Sequence, residues 1–173
     1  MPRTNPEMTT PRRPLDDLLL YRLSRLLAVA GSMVIKLCEG RFGITRREWR
    51  LLATLASRGE LSSSQLAEHA QLDRGRTSKA VGPMVAKGLI SREHPAGDRR
   101  QVLLRLTERG HGLYDELFPM VTQINAELLS ALDATAVEQL DESLRVLQAR
   151  AERMTGEAVL PKADRRRRSA GTA

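Results

Sequence analysis

Apolar residues fall at Leu15, Leu19, Leu23, Leu26, Leu27, Ala30, Met33, Val34 and Leu37. This spacing predicts one long amphipathic helix ending near Gly40, with so much leucine that it needs a partner surface. Thr45 with Glu48 three residues on forms a capping box for a helix through Trp49, Leu52, Leu55 and Ala56, stopped by Gly59. Ser62 to Ala70 reads as a short helix with Leu66 and Ala67 inward. After a tight turn at Gln71–Leu72, Asp73 caps a helix over about Arg74 to Lys87, ended by Gly88. Two short helices across a tight turn, the second carrying the basic residues, form a helix-turn-helix.

The period then changes. Leu89–His94 and Gln101–Leu106 read as two strands, the second alternating Val102, Leu104 and Leu106 on one face. The turn between them has the basic tip Asp98-Arg99-Arg100. Thr107 caps a further helix whose opening Gly110 and Gly112 weaken, with Leu113, Leu117, Val121, Ile124, Leu128, Leu129 and Leu132 along it. Asp133 or Thr135 caps a last helix through Val137, Leu140, Leu144, Leu147 and Ala151. Residues 1–14 and 156–173 read as disordered tails, the second basic. The expected fold is mainly α with a small β-wing: a winged helix-turn-helix over 44–110, flanked by helical segments 15–40 and 111–155.

Charge sharpens this picture. Residues 62–106 carry eight basic against four acidic residues, whereas 107–160 carry four against ten. A basic middle beside an acidic C-terminal third is the footprint of a phosphate-binding surface. On the helix opened by Asp73, Thr77, Val81, Met84 and Val85 would face inward, leaving Arg74, Gly75, Arg76, Ser78 and Lys79 outward at the N-terminal end. That end attracts anions, and arginine there can grip guanine O6 and N7 together. Ser62 and Ser64, at the start of the preceding helix, complete the candidate DNA face. At the ribbon tip, Asp98 two residues before Arg100 can aim its guanidinium into a narrow minor groove. Gly82-Pro83 interrupts the reading helix, so a kink or early break after Val81 is expected.

At these residues the chain resembles the MarR family of bacterial transcription regulators. The matching stretches are Gly43-Ile44-Thr45, Trp49-Arg50-Leu51-Leu52, Leu66-Ala67 and Asp73-Arg74-Gly75-Arg76-Thr77-Ser78-Lys79. They continue with Lys87-Gly88-Leu89-Ile90-Ser91-Arg92, Asp98-Arg99-Arg100 and Leu104-Arg105-Leu106-Thr107-Glu108-Arg109-Gly110. The resemblance implies a homodimer held by its N- and C-terminal helices, which makes 15–40 and 111–155 dimerisation segments. It also implies reading-helix and wing contacts to a pseudo-palindromic operator in double-stranded DNA, with repression relieved by a small effector. Relatives often hold aromatic acids or related anions beside the dimerisation helices. An aromatic acid or its thioester is the expected effector here, with Arg22, Arg25, Trp49 and Arg50 as candidate contacts. An arginine would pair with a carboxylate and the indole would stack on a ring. Trp49 reads equally as core, and the arginines as solvated.

Other classes fit less well. No G-x-G-x-x-G, G-x-S-x-G or H-E-x-x-H occurs, so no enzyme is expected. The single cysteine, Cys38, excludes thiolate zinc cages, and His69, His94 and His111 show no metal spacing, so neither metal nor cofactor is expected. Cys38 has no electropositive setting that would mark a redox sensor. A redox-responsive or effector-independent DNA-binding regulator, or a helical protein-interaction module, is the alternative. The interaction module would leave the basic helix and wing without purpose. No apolar run is long enough for a membrane span and no signal peptide is visible, so no membrane partner and a cytoplasmic location are expected. Arg165–Arg168 would either add phosphate contacts or serve solubility.

Overall fold

A computed structural model describes residues 14–94 and 101–157. The chain divides into two units, one up to Leu128 and one from Leu129. In the first unit a 3-10 turn at Leu15–Asp17 precedes α1, Leu19–Arg41. The break at Leu18, with ψ 123°, divides what the leucine spacing suggested was one helix. There follow α2 (Arg46–Arg58), β1 (Leu61–Ser62), α3 (Ser63–His69) and α4 (Arg74–Ala86). Next come β2 (Ile90–Glu93), β3 (Leu103–Leu106) and α5 (Glu108–Leu129), which carries the chain into the second unit. The second unit is built on α6, Ala134–Glu157.

The helix starts are set by side-chain caps. Thr45 Oγ1 accepts the Glu48 N–H at 3.2 Å while Glu48 Oε2 accepts the Thr45 N–H at 2.7 Å, a full capping box. Ser62 and Gln65 make the same reciprocal pair for α3. Asp73 accepts the Arg76 N–H for α4, and Asp133 rather than Thr135 caps α6 by accepting the Ala136 N–H at 2.8 Å. At Gly88 the backbone turns left-handed, φ 67°, and the Leu89 N–H returns to the Met84 carbonyl at 3.0 Å, closing α4.

The sheet has three antiparallel strands in the order β1-β3-β2, with Leu61 opposite Leu104 and Ile90 opposite Leu106. β1 was not expected, since two residues carry no periodicity, and it joins the sheet because Leu61 is buried beside Leu104. Around this sheet α2, α3 and α4 pack Leu51, Leu52, Leu66, Val81 and Met84 into one core, to which Leu117 of α5 adds. The architecture is a winged helix: mainly helical with a small antiparallel sheet.

Pro83 does not end α4. The helix runs on to Ala86 with Pro83 inside it, contrary to the expected break. The proline falls in the last turn, so only the Lys79 carbonyl loses a backbone donor. Met84, fully buried immediately after it, holds the final turn on the core.

Gly110 has a use its sequence context hides. A Cβ there would lie 2.1 Å from the Leu89 carbonyl oxygen, so no other residue fits. The same corner is buttoned by Thr107, whose hydroxyl donates to the Gly88 carbonyl at 2.6 Å and accepts the Gly110 N–H at 3.0 Å. The Leu-Thr-x-x-Gly run is therefore a seam between the end of α4 and the start of α5.

Candidate nucleic-acid interface and effector cavity

The helical repeat of α4 sorts its residues into faces. Thr77, Val81 and Met84 are buried and Val85 is half-buried, while Arg74, Gly75, Arg76, Ser78 and Lys79 are all exposed. Gly75, Lys79 and Gly82 share the outermost stripe, with Arg76 on one flank and Arg74 and Ser78 on the other. None of the three cations has an ion-pair partner among the described residues. Ser64 is exposed in the first turn of α3, whereas Ser62 is half-buried and its hydroxyl donates to Gln65 Oε1 at 2.9 Å. Ser62 is thus a cap first. The wing-tip residues Asp98, Arg99 and Arg100 lie outside the described residues, as do Arg165–Arg168.

One ion pair ties α4 to the start of α2. Lys87, at the C-cap of α4, donates to both carboxylate oxygens of Glu48 at 2.9 Å and to the Gly43 carbonyl at 2.9 Å. Glu48 is only 3% exposed, and its carboxylate is held by this lysine and by the Thr45 N–H. Nothing in the local spacing announces the pair, because its members are 39 residues apart.

A cavity of about 470 Å³ opens between α1, α2 and α5, within the first unit. Leucines and Val34 of α1 and Val121, Ile124 and Leu128 of α5 form apolar walls; Arg46, Trp49 and Arg50 come from α2. Trp49 is 7% exposed and its ring stacks on Tyr114, with centroids 5.8 Å apart, so it belongs to the core while also lining the cavity. The Arg50 guanidinium donates to the Ala70 carbonyl. Loss of water around that head group, then the neighbouring Arg46 charge, lowers its pKa from the ordinary arginine value. Arg46 lies one turn before Arg50, and its guanidinium rests on Gly31, where a Cβ would come within 3.1 Å. Neither arginine has a carboxylate partner among the described residues.

Arg22 and Arg25, the other expected contacts, do not line this cavity. Arg25 pairs with Asp16 at 3.0 Å in the open and sits 6.0 Å from the Tyr21 ring centroid, and Arg22 is exposed. Arg46 takes their place. It was legible as the residue four before Arg50 and so on the same helix face.

Cys38 is fully buried in the core, and burial, then the charge of Glu39, raises its thiol pKa. The thiol therefore stays protonated at neutral pH and is a poor nucleophile. Among the described residues no cluster of His, Cys, Asp or Glu could hold a metal, and no helix is long and apolar enough to cross a membrane.

This geometry has known counterparts. Residues 42–101, from just after α1 to just before β3, match the sequence profile of the MarR family. The chain is 28% identical over 165 residues to the transcriptional repressor MprA of Escherichia coli K12, covering 85% of this chain and 94% of that protein. Among solved structures, a MarR family transcriptional regulator from Silicibacter pomeroyi superposes with a TM-score of 0.69 at 27% identity, covering 80% of this chain and 93% of its own. CouR from Rhodococcus jostii RHA1, solved with p-coumaroyl-CoA bound, superposes with a TM-score of 0.68 at 24% identity, covering 78% and 94%.

Proposed function

The chain belongs to the MarR family of transcriptional regulators, and from that premise we propose that it is a homodimeric repressor released from its operator by a small organic anion. The observation that carries the DNA reading is α4 itself. Its Arg74, Arg76 and Lys79 stand unpaired among the described residues on a helix whose opposite face is anchored in the core. Arg74 and Arg76 would contact base edges, Ser64 and Lys79 the backbone, and Arg100 the minor groove beside it.

Two copies are proposed because the flanking helices leave apolar surface uncovered. Along α1, Leu20 is 80% and Val29 75% exposed, and α6 carries no buried residue. A second copy would cover these surfaces and set two reading helices about one turn of DNA apart, ~10 bp centre to centre.

The effector reading rests on the cavity, where two arginines without a carboxylate partner among the described residues meet apolar walls and the Trp49 indole. That combination fits a carboxylate on an aromatic or other apolar body, which an aromatic acid or its thioester supplies. Binding releases DNA only so far as the ligand favours one arrangement of the two heads over the other.

The test is anisotropy of a labelled operator, found by sequencing genomic fragments that the protein retains. A panel of aromatic acids and their thioesters should release the operator from wild type, and Arg46→Gln should weaken that release. Equal affinity for every duplex would overturn the repressor reading. Indifference to the whole panel would overturn the effector.

A further inference from the structure

Beside the reading helix lies a second, smaller cleft of about 350 Å³, between the start of α2 and the flank of α4. Arg76, Ala80, Pro83 and Lys87 recur at helical spacing down the wall of α4, with Lys79 at its outer edge, and Thr45 and Arg47 form the opposite wall. The one carboxylate in the cleft, Glu48, is buried and held by Lys87, so it cancels that lysine and no other cation. Arg47, Arg76 and Lys79 remain, exposed and without an ion-pair partner among the described residues. Three exposed cations around one concave surface give it a positive local potential that favours an anion. The positive end of the α2 dipole adds to the same field.

We infer that this cleft seats a phosphate of the DNA strand flanking the reading helix, with Arg47 as a backbone clamp outside the base-reading set. The inference rests on α4 facing DNA. Arg47 is the informative residue because it lies on α2 rather than α4, so it reaches the duplex from a different element. A contact to the backbone carries no sequence information; it fixes the register of the head and makes binding depend on salt.

The experiment compares Arg47→Gln with Arg58→Gln, which removes the same charge from the other end of α2, outside the cleft. Affinities for operator and for an unrelated duplex are measured over a series of chloride concentrations. For a dimer with two clefts, the slope of log affinity against log salt should flatten by ~0.9 for each cleft in Arg47→Gln, and hold in Arg58→Gln. At fixed salt, Arg47→Gln should weaken both duplexes by a similar factor, roughly 3- to 10-fold. Equal slopes for wild type and Arg47→Gln, or equal flattening by Arg58→Gln, would overturn the clamp and leave the repressor reading standing. No duplex binding by wild type would overturn both. Inorganic phosphate is added in a second series at matched ionic strength. It should compete no better than chloride with a strand phosphate; stronger competition that Arg47→Gln removes would make the cleft a free-phosphate site and overturn the strand assignment.

Discussion

The winged head and the long helices that flank it use leucine in opposite ways. In the head, Leu51, Leu52, Leu66, Leu89 and Leu104 are sealed in a common core. On α1, Leu19, Leu26 and Leu27 are each about half exposed, and α6 buries none of its leucines. At roughly 25 cal/mol for each Å² of apolar area removed from water, the head gains its stability within one chain, whereas the flanks leave that gain unclaimed on their exposed apolar stripes. Composition alone would not separate these regions. What separates them is whether a strand or a second short helix is close enough in sequence to cover the apolar stripe.

The comparison is broken most severely at the seam where head becomes flank. Gly110→Ala places a methyl against the Leu89 carbonyl, a backbone atom that cannot swing aside. We expect a loss of about 3 kcal/mol or more in urea unfolding, at the upper end of overpacking costs. Gly112→Ala, two residues on with open space around it, should be neutral or slightly stabilising through helix propensity.

A change in the flank should do the reverse. Leu26→Glu lies on the exposed stripe of α1, where Leu26 is 51% exposed and also lines the cavity. Light scattering should show loss of the dimer while circular dichroism keeps its helical signal. Operator affinity should fall by ~100-fold or more as the second head's binding ceases to be intramolecular. A variant that stays dimeric would move the interface away from α1.

The ion pair between Glu48 and Lys87 tests the head from within. Lys87→Met leaves a buried carboxylate without its cation, which costs about 3 to 5 kcal/mol when one partner of such a pair is removed. Lys87 is itself more than a third exposed, so water can partly replace it and the lower end is expected. Adding Glu48→Gln, which keeps the acceptor for the Thr45 N–H, should restore part of the loss. A double variant no more stable than the single one would show that the carboxylate does not need the lysine.

These sites also show what the amino-acid order discloses. The Thr45–Glu48 box and the caps at Asp73 and Asp133 were legible because a cap is a contact over three residues. The face of α4 was legible because its period is local. Lys87 with Glu48, and Gly110 against Leu89, are contacts between elements, and each looked bland in its own window. Gly110 read as a weakness in a helix, yet it is the residue that lets two elements touch. Pro83 pointed to a kink or early break, and the early break does not occur, because the proline falls in a last turn that Met84 pins to the core. In the cavity, Trp49 and Arg50 were visible and Arg46 was overlooked, while Arg22 and Arg25 fell on a face of α1 that does not line it.

The smallest effect concerns a position where the head's own packing is imperfect. Thr77 is fully buried on the inner face of α4, and its hydroxyl has no hydrogen-bond partner among the described residues. A buried hydroxyl left unpaired forfeits the bonds that water gave it in the unfolded chain, a cost of about 1 to 3 kcal/mol. Thr77→Val removes that oxygen while keeping the β-branched shape the core already holds. It should stabilise the head by about 1 kcal/mol, read as a rise in the urea midpoint at unchanged slope. The flanks offer no counterpart, since an exposed hydroxyl keeps its water: Thr122→Val on α5, where the hydroxyl donates to the Phe118 carbonyl at 2.9 Å, should change stability little. A Thr77→Val variant less stable than wild type would mean that the hydroxyl finds a partner in solution, and that the head's core is wetter than its apolar packing implies.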